Sequence, residues 1–207
     1  MKEIQIKIKL IEYLLEHASR DTVIGSELRF NYGSRRADIV SVTNNIASIF
    51  EIKGSGDSIE RLGSQLDSYK EYFDYCYVVC EPSNINLVKK SCKRKIGIIL
   101  VENNDVRLIK EACHFKKNKK ITLASTIDTS TLRKLTANNI LKSKHELCEL
   151  FIKNNNLDSV KSISRKHLWE KLKCNFDIFY NELGVRVNPD DILTLTRMPS
   201  GDLSRRA

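Results

Sequence analysis

The chain has 207 residues, of which 41% are hydrophobic and 29% charged, with a formal net charge of +9. That length suits one full domain, or one domain with a small appendage, and the apolar fraction excludes a disordered chain. No apolar run approaches the ~20 residues that cross a bilayer, and the N-terminus lacks a secretory signal pattern, so a cytoplasmic protein with no membrane association is expected.

The segment Glu3 to Ala18 has helical periodicity, with Ile4, Ile8, Ile11, Leu15 and Ala18 on one face. Val23 to Phe30 reads as an extended stretch, and Asn31-Tyr32-Gly33-Ser34 supplies a turn. Arg36 to Thr43 and Ile46 to Lys53 read as paired strands about the tight turn Asn44-Asn45. After the break at Gly54-Ser55-Gly56, Asp57 or Ser58 caps a helix that runs to about Phe73, with Glu60 completing a capping box. Its apolar stripe is Ile59, Leu62, Leu66, Tyr69 and Phe73. Tyr75 to Cys80 is a strand of the fully buried kind, Asn84 to Cys92 a helix, and Ile96 to Val101 and Val106 to Ile109 two further strands. This order predicts an α/β sandwich around a mixed sheet.

Beyond Ile121 the texture changes. A Ser/Thr-rich connector, residues 122–131, leads to a helical appendage over residues 132–185, with helices at Ile140 to Lys153, Ser164 to Lys173 and about Phe176 to Leu183. Residues 186–207, with Pro189, Pro199 and Arg205-Arg206, read as a weakly ordered arm. The six cysteines (76, 80, 92, 113, 148 and 174) are expected as reduced thiols, mostly buried. The four histidines show no metal spacing, and no serine or cysteine has a base near it in sequence.

The chemistry concentrates in the hairpin. Alternation along a strand sends Glu51 and Lys53 from one face, about 7 Å apart, while Phe50 and Ile52 point to the other. Asp38 lies across the ladder, and Glu27 on the preceding strand is placed to come alongside. Three acids on an otherwise apolar sheet repel one another unless a divalent cation joins them, and Mg²⁺ takes such carboxylates together with water and a substrate phosphate. Lys53 would orient a water or neutralise charge on a phosphorane. Taken singly, a Glu-x-Lys at a strand end or one polar residue in a strand is commonplace; the combination is what points to chemistry.

Ala37-Asp38, a spacer, and Glu51-Ile52-Lys53, followed by a helix carrying Gln65-Leu66-Asp67-Ser68-Tyr69, resemble the PD-(D/E)xK nuclease superfamily. The Q-x-x-x-Y pattern resembles its RecB/Cas4-like branch, and Arg36-Ala37-Asp38-Ile39 with Arg61-Leu62 is similar to small standalone bacterial members. The likeness covers about residues 1–110, within a core over residues 1–121, and departs from the family in having Ala37 where proline is usual. It implies a restriction-endonuclease-like three-layer α/β/α core with a mixed central sheet, and Mg²⁺- or Mn²⁺-dependent cleavage of DNA in repair, restriction or defence. Glu27, Asp38 and Glu51 would be metal ligands, and Asp38, Glu51, Lys53, Gln65 and Tyr69 the catalytic set. For Gln65 and Tyr69 a plainer reading stands beside this one: a core tyrosine next to a surface amide.

The basic surplus draws polyanions, nucleic acid above all. Runs at Lys89-Lys90, Lys93-Arg94-Lys95, Lys116-Lys117 and Lys119-Lys120 contribute to it. Arg35, Arg36, Arg61, Arg165 and Lys166 are the expected phosphate contacts. Two alternatives remain: a catalytically inactive nucleic-acid- or protein-binding module that keeps the fold, and a core that serves as a scaffold while the C-terminal helices carry the function through a protein partner. Those helices are also where a homodimer or partner protein would attach.

Overall fold

In the computed structural model, which describes residues 1–103, 105–116 and 118–197, the strands are β1 (Val23–Phe30), β2 (Arg35–Thr43), β3 (Ile46–Lys53), β4 (Tyr75–Cys80), β5 (Gly97–Glu102) and β6 (Asp105–Lys110). They form one sheet in the order β1-β2-β3-β4-β5-β6. The β1-β2-β3 meander and the β5-β6 hairpin are antiparallel, whereas β3-β4-β5 are parallel. The parallel pairs are joined by α2 (Leu62–Tyr72) and α3 (Ile85–Ser91), as parallel strands require a crossover. The chain is therefore a mixed α/β protein. The sequence-predicted strands match these spans within a residue or two.

Helix α1 (Glu3–Glu16) forms as expected but is rotated relative to the face read from the sequence. Its buried residues are Ile6, Lys7, Leu10 and Ile11, with Ile4 and Ile8 only partly covered. Helix α2 begins later than its predicted cap. The Asp57 carboxylate instead accepts from Gly54 N–H at 2.7 Å, closing the glycine loop on itself, and Ser58 Oγ accepts from Glu60 N–H. A capping side chain spent on the loop before it is not available to the helix.

The C-terminal half differs more. The predicted connector contains the end of α4 (Lys120–Ala124) and the start of α5 (Thr129–Thr136), followed by α6 (Lys144–Lys153). The two short helices expected after Ser164 are one helix, α7 (Leu157–Glu182), because Leu168, Leu172, Phe176 and Phe179 continue a single buried stripe. Asn156 starts it, its side chain accepting from Ser159 N–H at 2.8 Å. The supposed arm contains α8 (Pro189–Thr196), with Asn188 and Asp191 forming a reciprocal cap at its start and Pro189 in the first turn. Lys117, Pro199, Arg205 and Arg206 lie outside the described residues.

Two cores result. The larger unites the sheet with α1, α2, α7 and α8. The smaller holds Leu123, Leu132, Leu147, Phe151 and Val160 and belongs to α4, α5, α6 and the first turn of α7. The appendage is thus mainly α4–α6, and most of α7 completes the main core: Leu172 packs so close over Gly25 of β1 that a Cβ there would collide with it. The cysteines are all free, with 76, 80 and 148 buried, 92 partly covered, and 113 and 174 exposed, so the expectation of mostly buried thiols holds for half of them. No helix among the described residues is long and apolar enough to cross a membrane.

Candidate active site

The antiparallel pairing of β2 with β3 ends at Ile39↔Phe50. Just past that point Ile52 N–H donates to Asp38 Oδ2 at 2.8 Å. A side chain has replaced the backbone carbonyl as acceptor, and the two strands part at Asp38 and Glu51. Divergence of this kind makes room for side chains to meet a ligand at the end of a rigid sheet.

Glu51 is nearly buried and is gripped from three directions. Lys53 Nζ lies 2.8 Å from its Oε1, Gln65 Nε2 donates to the same oxygen at 2.7 Å, and the Tyr69 hydroxyl donates to Oε2. Lys53 also donates to Gln65 Oε1 at 3.2 Å, so lysine, amide and carboxylate form a closed ring. Gln65 and Tyr69, one turn apart on α2, both bond Glu51, and Gln65 is partly covered instead of free at the surface. Tyr69 is at once a core tyrosine, in ring contact with Phe30 and Phe73, and a donor to the site. Burial, then the Glu51 charge, pushes its pKa far up, so it stays a neutral donor.

Opposite Asp38 stands Glu27. The β1-β2 register runs Ser26↔Ile39 and Leu28↔Ala37, so residues 27 and 38 face each other but drop out of the ladder. Glu27 has φ = 56°, a left-handed conformation that a non-glycine residue adopts at a cost of order 1–2 kcal/mol. Strain of this kind persists where the surroundings dictate it. Here it turns the carboxylate toward Lys7, which ion-pairs with both Glu27 and, at 2.7 Å, Glu3. Arg36 Nε lies 2.5 Å from Glu27 Oε2, yet that buried oxygen receives no well-directed hydrogen bond.

One carboxylate oxygen each from Glu3, Glu27 and Asp38 fall within 4.8 Å of one another. The grouping differs from the expected ligand set: Glu3 has joined, while both oxygens of Glu51 are occupied by Lys53, Gln65 and Tyr69. Burial, then the neighbouring Glu51 charge, pushes the Asp38 pKa up to about 7. Lys7 is affected the other way. Although burial works against its charge, its hydrogen bonds to Glu27 and Glu3 raise its pKa above the usual value.

All-oxygen donors and the repulsion between Asp38 and Glu51 suit a hard divalent cation, while Lys7 and Arg36 already balance the charge of Glu27. Glu3 and Lys7 escaped notice in the sequence because the face assigned to α1 was a turn-fraction out of phase. The available signal was the Glu3-x-x-x-Lys7 pair on a helix whose alternative stripe, Ile6, Leu10 and Ile11, is more deeply apolar.

Among the expected phosphate contacts, Arg36 and Arg61 are exposed near the site, the first beside Glu27 and the second at the start of α2. Arg35 is partly covered, and Lys166 is exposed on α7, 3.9 Å from Glu170. Arg165 is a correction. It is fully buried, with its Nε donating to Asp74 Oδ2 at 2.7 Å, so it clamps α7 to the sheet and cannot reach a phosphate.

Protein cII of Enterobacteria phage P4 is 33% identical to this chain over 106 residues, which are 51% of this chain and 40% of that protein, so the match spans about two fifths of the relative. A solved structure, the SPO1766 protein of unknown function from Silicibacter pomeroyi, aligns with 66% of this chain and 91% of its own at 16% identity and a TM-score of 0.45. The family described as bacteriophage P4 protein cII matches residues 1–196, and the chain belongs to that family.

Proposed function

We propose that the chain is a metal-dependent nuclease with a restriction-endonuclease-like α/β/α core that hydrolyses phosphodiester bonds of DNA, in the setting of repair, restriction or defence. One observation carries this reading: Asp38, Glu51, Lys53, Gln65 and Tyr69, drawn from two strands and a helix, converge where β2 and β3 part, with Glu3 and Glu27 beside them. Asp38, Glu27 and Glu3 would hold Mg²⁺ or Mn²⁺, with Glu51 the further ligand that the PD-(D/E)xK resemblance implies. Such an ion supplies Lewis-acid polarisation of the phosphoryl oxygen and a more acidic bound water.

The protein's own groups do the rest. Lys53, held by Glu51 and Gln65, is a fixed ammonium poised to steady charge developing on the phosphorane, and little reorganisation is left for the moment of reaction. Tyr69 and Gln65 restrain the Glu51 carboxylate, and Tyr69 does so as a neutral donor. Arg36 and Arg61 would neutralise neighbouring backbone phosphates.

The alternative, a binding module that keeps the fold without cleavage, gains from one detail: the Lys7 ammonium already bridges Glu3 and Glu27, where a metal would compete with it. Incubating the purified protein with plasmid, linear and single-stranded DNA, with and without Mn²⁺, separates the two. Cleavage that requires Mn²⁺ and is lost in Lys53→Ala and Glu51→Gln supports the enzyme. Unchanged DNA with every substrate, or cleavage indifferent to both substitutions, refutes it.

A further inference from the structure

At the seam between β1 and the α4–α6 unit lies a cleft of about 400 Å³ that the catalytic reading does not use. Phe30 and Tyr72, both nearly buried, back the cleft, Tyr32 stands half exposed at its edge, and Arg29, Lys144 and Lys171 supply cations. The lone acid, Asp128, is already matched, with Lys171 Nζ at 3.1 Å and His167 Nε2 at 3.3 Å; the His167 and Lys171 contacts hold its pKa well below the usual range. Arg29 and Lys144 make no ion pair with a carboxylate among the described residues. Arg29 reaches only the Gly33 carbonyl, at 3.4 Å, and Lys144 hangs 5.8 Å over the Tyr32 ring.

Tyr32 is held at the mouth by an unusual backbone. Asn31, Tyr32 and Gly33 have φ of 49°, 54° and 87°, three left-handed residues in succession, of which only tyrosine lacks a ready reason to be there. Half of the residue is exposed, and the rest meets α6, where the Tyr32 hydroxyl lies 3.2 Å from His145 Nδ1. The cleft adjoins the candidate active site: Phe30 touches both Tyr72 and Tyr69, at centroid distances of 4.9 and 5.7 Å, and Tyr69 is the residue that grips Glu51.

Aromatic faces beside unpaired cations are the chemistry that takes a base by its π-face and its phosphate by charge. Bases within a duplex are stacked on their neighbours and cannot offer that face without being extruded. We propose that this cleft is a binding site for an unpaired nucleotide of a polynucleotide strand. As a statement about substrate it rests on the nuclease reading, and it assigns to the helical appendage the task of selecting strands that are single or frayed beside the catalytic groups.

The test is fluorescence anisotropy in EDTA, where no cleavage occurs, with labelled oligothymidylate and oligouridylate of about 12 nucleotides, within the span a single-strand groove covers, and a duplex of the same length. Tyr32→Ala and Lys144→Gln should each weaken single-strand binding about tenfold. Tyr32→Phe should retain it, and duplex affinity should hardly move. Whichever sugar binds with that pattern identifies the strand. Single-strand affinity unmoved by Tyr32→Ala, or equal losses for duplex and single strand, overturns the proposal. Because Tyr32 is half exposed, its truncation leaves the core intact. Lys53→Ala, measured in parallel, fails independently: if it still cleaves, the nuclease reading falls while the cleft stands.

Discussion

Two aspartates, Asp38 and Asp74, are withdrawn from water at opposite ends of the β3-adjacent sheet, and they respond in opposite ways. Asp74, fully buried, is met by Arg165 at 2.7 Å, Lys161 at 2.6 Å and Ala47 N–H at 2.8 Å. Burial alone would raise its pKa, but Arg165 above all, with Ala47 and Lys161, brings it below the usual carboxylate range. For Asp38, burial and then the facing charge of Glu51 outweigh the one backbone N–H it receives, and its pKa climbs to about 7. The first acid is a balanced joint between β3, β4 and α7. The second has no close cationic partner of its own among the described residues, and its charged form is disfavoured beside Glu51.

The largest expected effect breaks the comparison on activity. Asp38→Asn should lower Mn²⁺-dependent cleavage of linear DNA by at least about 10²-fold, the scale of losing one electrostatic element of an active site. Asp74→Asn, assayed below its own melting range, should leave the rate within a few-fold. Equal losses in the two variants would mean that Asp38 acts only through the fold.

Next comes stability. Arg165→Ala leaves the Asp74 carboxylate short of its main counter-charge, and removing one partner of a buried pair costs about 3–5 kcal/mol. For a domain of this size that lowers Tm by roughly 10 °C, which calorimetry will detect. The guanidinium is itself imperfectly served, since neither terminal nitrogen has a hydrogen-bond partner. The double variant Asp74→Asn with Arg165→Met should therefore recover a good part of the loss, as buried pairs replaced together often do.

A third, smaller effect is a difference of sign with pH. Asp38, with its folded pKa raised to about 7, binds its proton more tightly folded than unfolded. Its contribution therefore falls as pH rises from about 4, the unfolded value, to about 7. In EDTA, Asp38→Asn should melt a few degrees higher than wild type at pH 8, with the gap closing toward pH 4. Asp74 is the reverse. Its folded pKa is depressed, so its contribution is present above about pH 4 and lost as pH falls through the folded value. Asp74→Asn should accordingly be the weaker protein at pH 7 and lose that deficit only in acid. Parallel Tm-versus-pH curves for the two variants would remove the distinction.

These two acids also differ in how far they could be read from the sequence. Asp38, Glu51 and Lys53 were legible because strand alternation fixes side-chain direction, and the hairpin turn Asn44-Asn45 fixes register. Helical spacing put Gln65 and Tyr69 on one face, and only the resemblance to the Q-x-x-x-Y pattern pointed them at the site. Asp74 and Arg165 were not legible as a pair. They meet across 91 residues, and nothing local distinguishes Arg165 from its exposed neighbour Lys166. The same limit explains Lys7, a buried ammonium on a helix whose two apolar stripes differ by a small rotation. It also explains α7, for which the sequence offered two short segments although no proline or glycine interrupts Leu157–Glu182. The tertiary stripe, shared by the two cores, decides that helix.

Asp67 supplies the smallest effect and the sharpest control. Hydrogen bonds from Lys70 and Lys93, at 2.6 and 3.0 Å, depress its pKa as those of Asp74's partners do. Its side chain is nevertheless more than half exposed, so water and salt screen the same pairs, and exposed ion pairs contribute about 0–1 kcal/mol. Asp67→Asn should shift Tm by no more than about 2 °C, and by less in 1 M salt. A shift as large as that of Asp74→Asn would show that a lowered pKa suffices for stabilisation. The expected near-silence assigns the stabilisation to burial beside close cationic partners, which Asp74 has and Asp38 lacks.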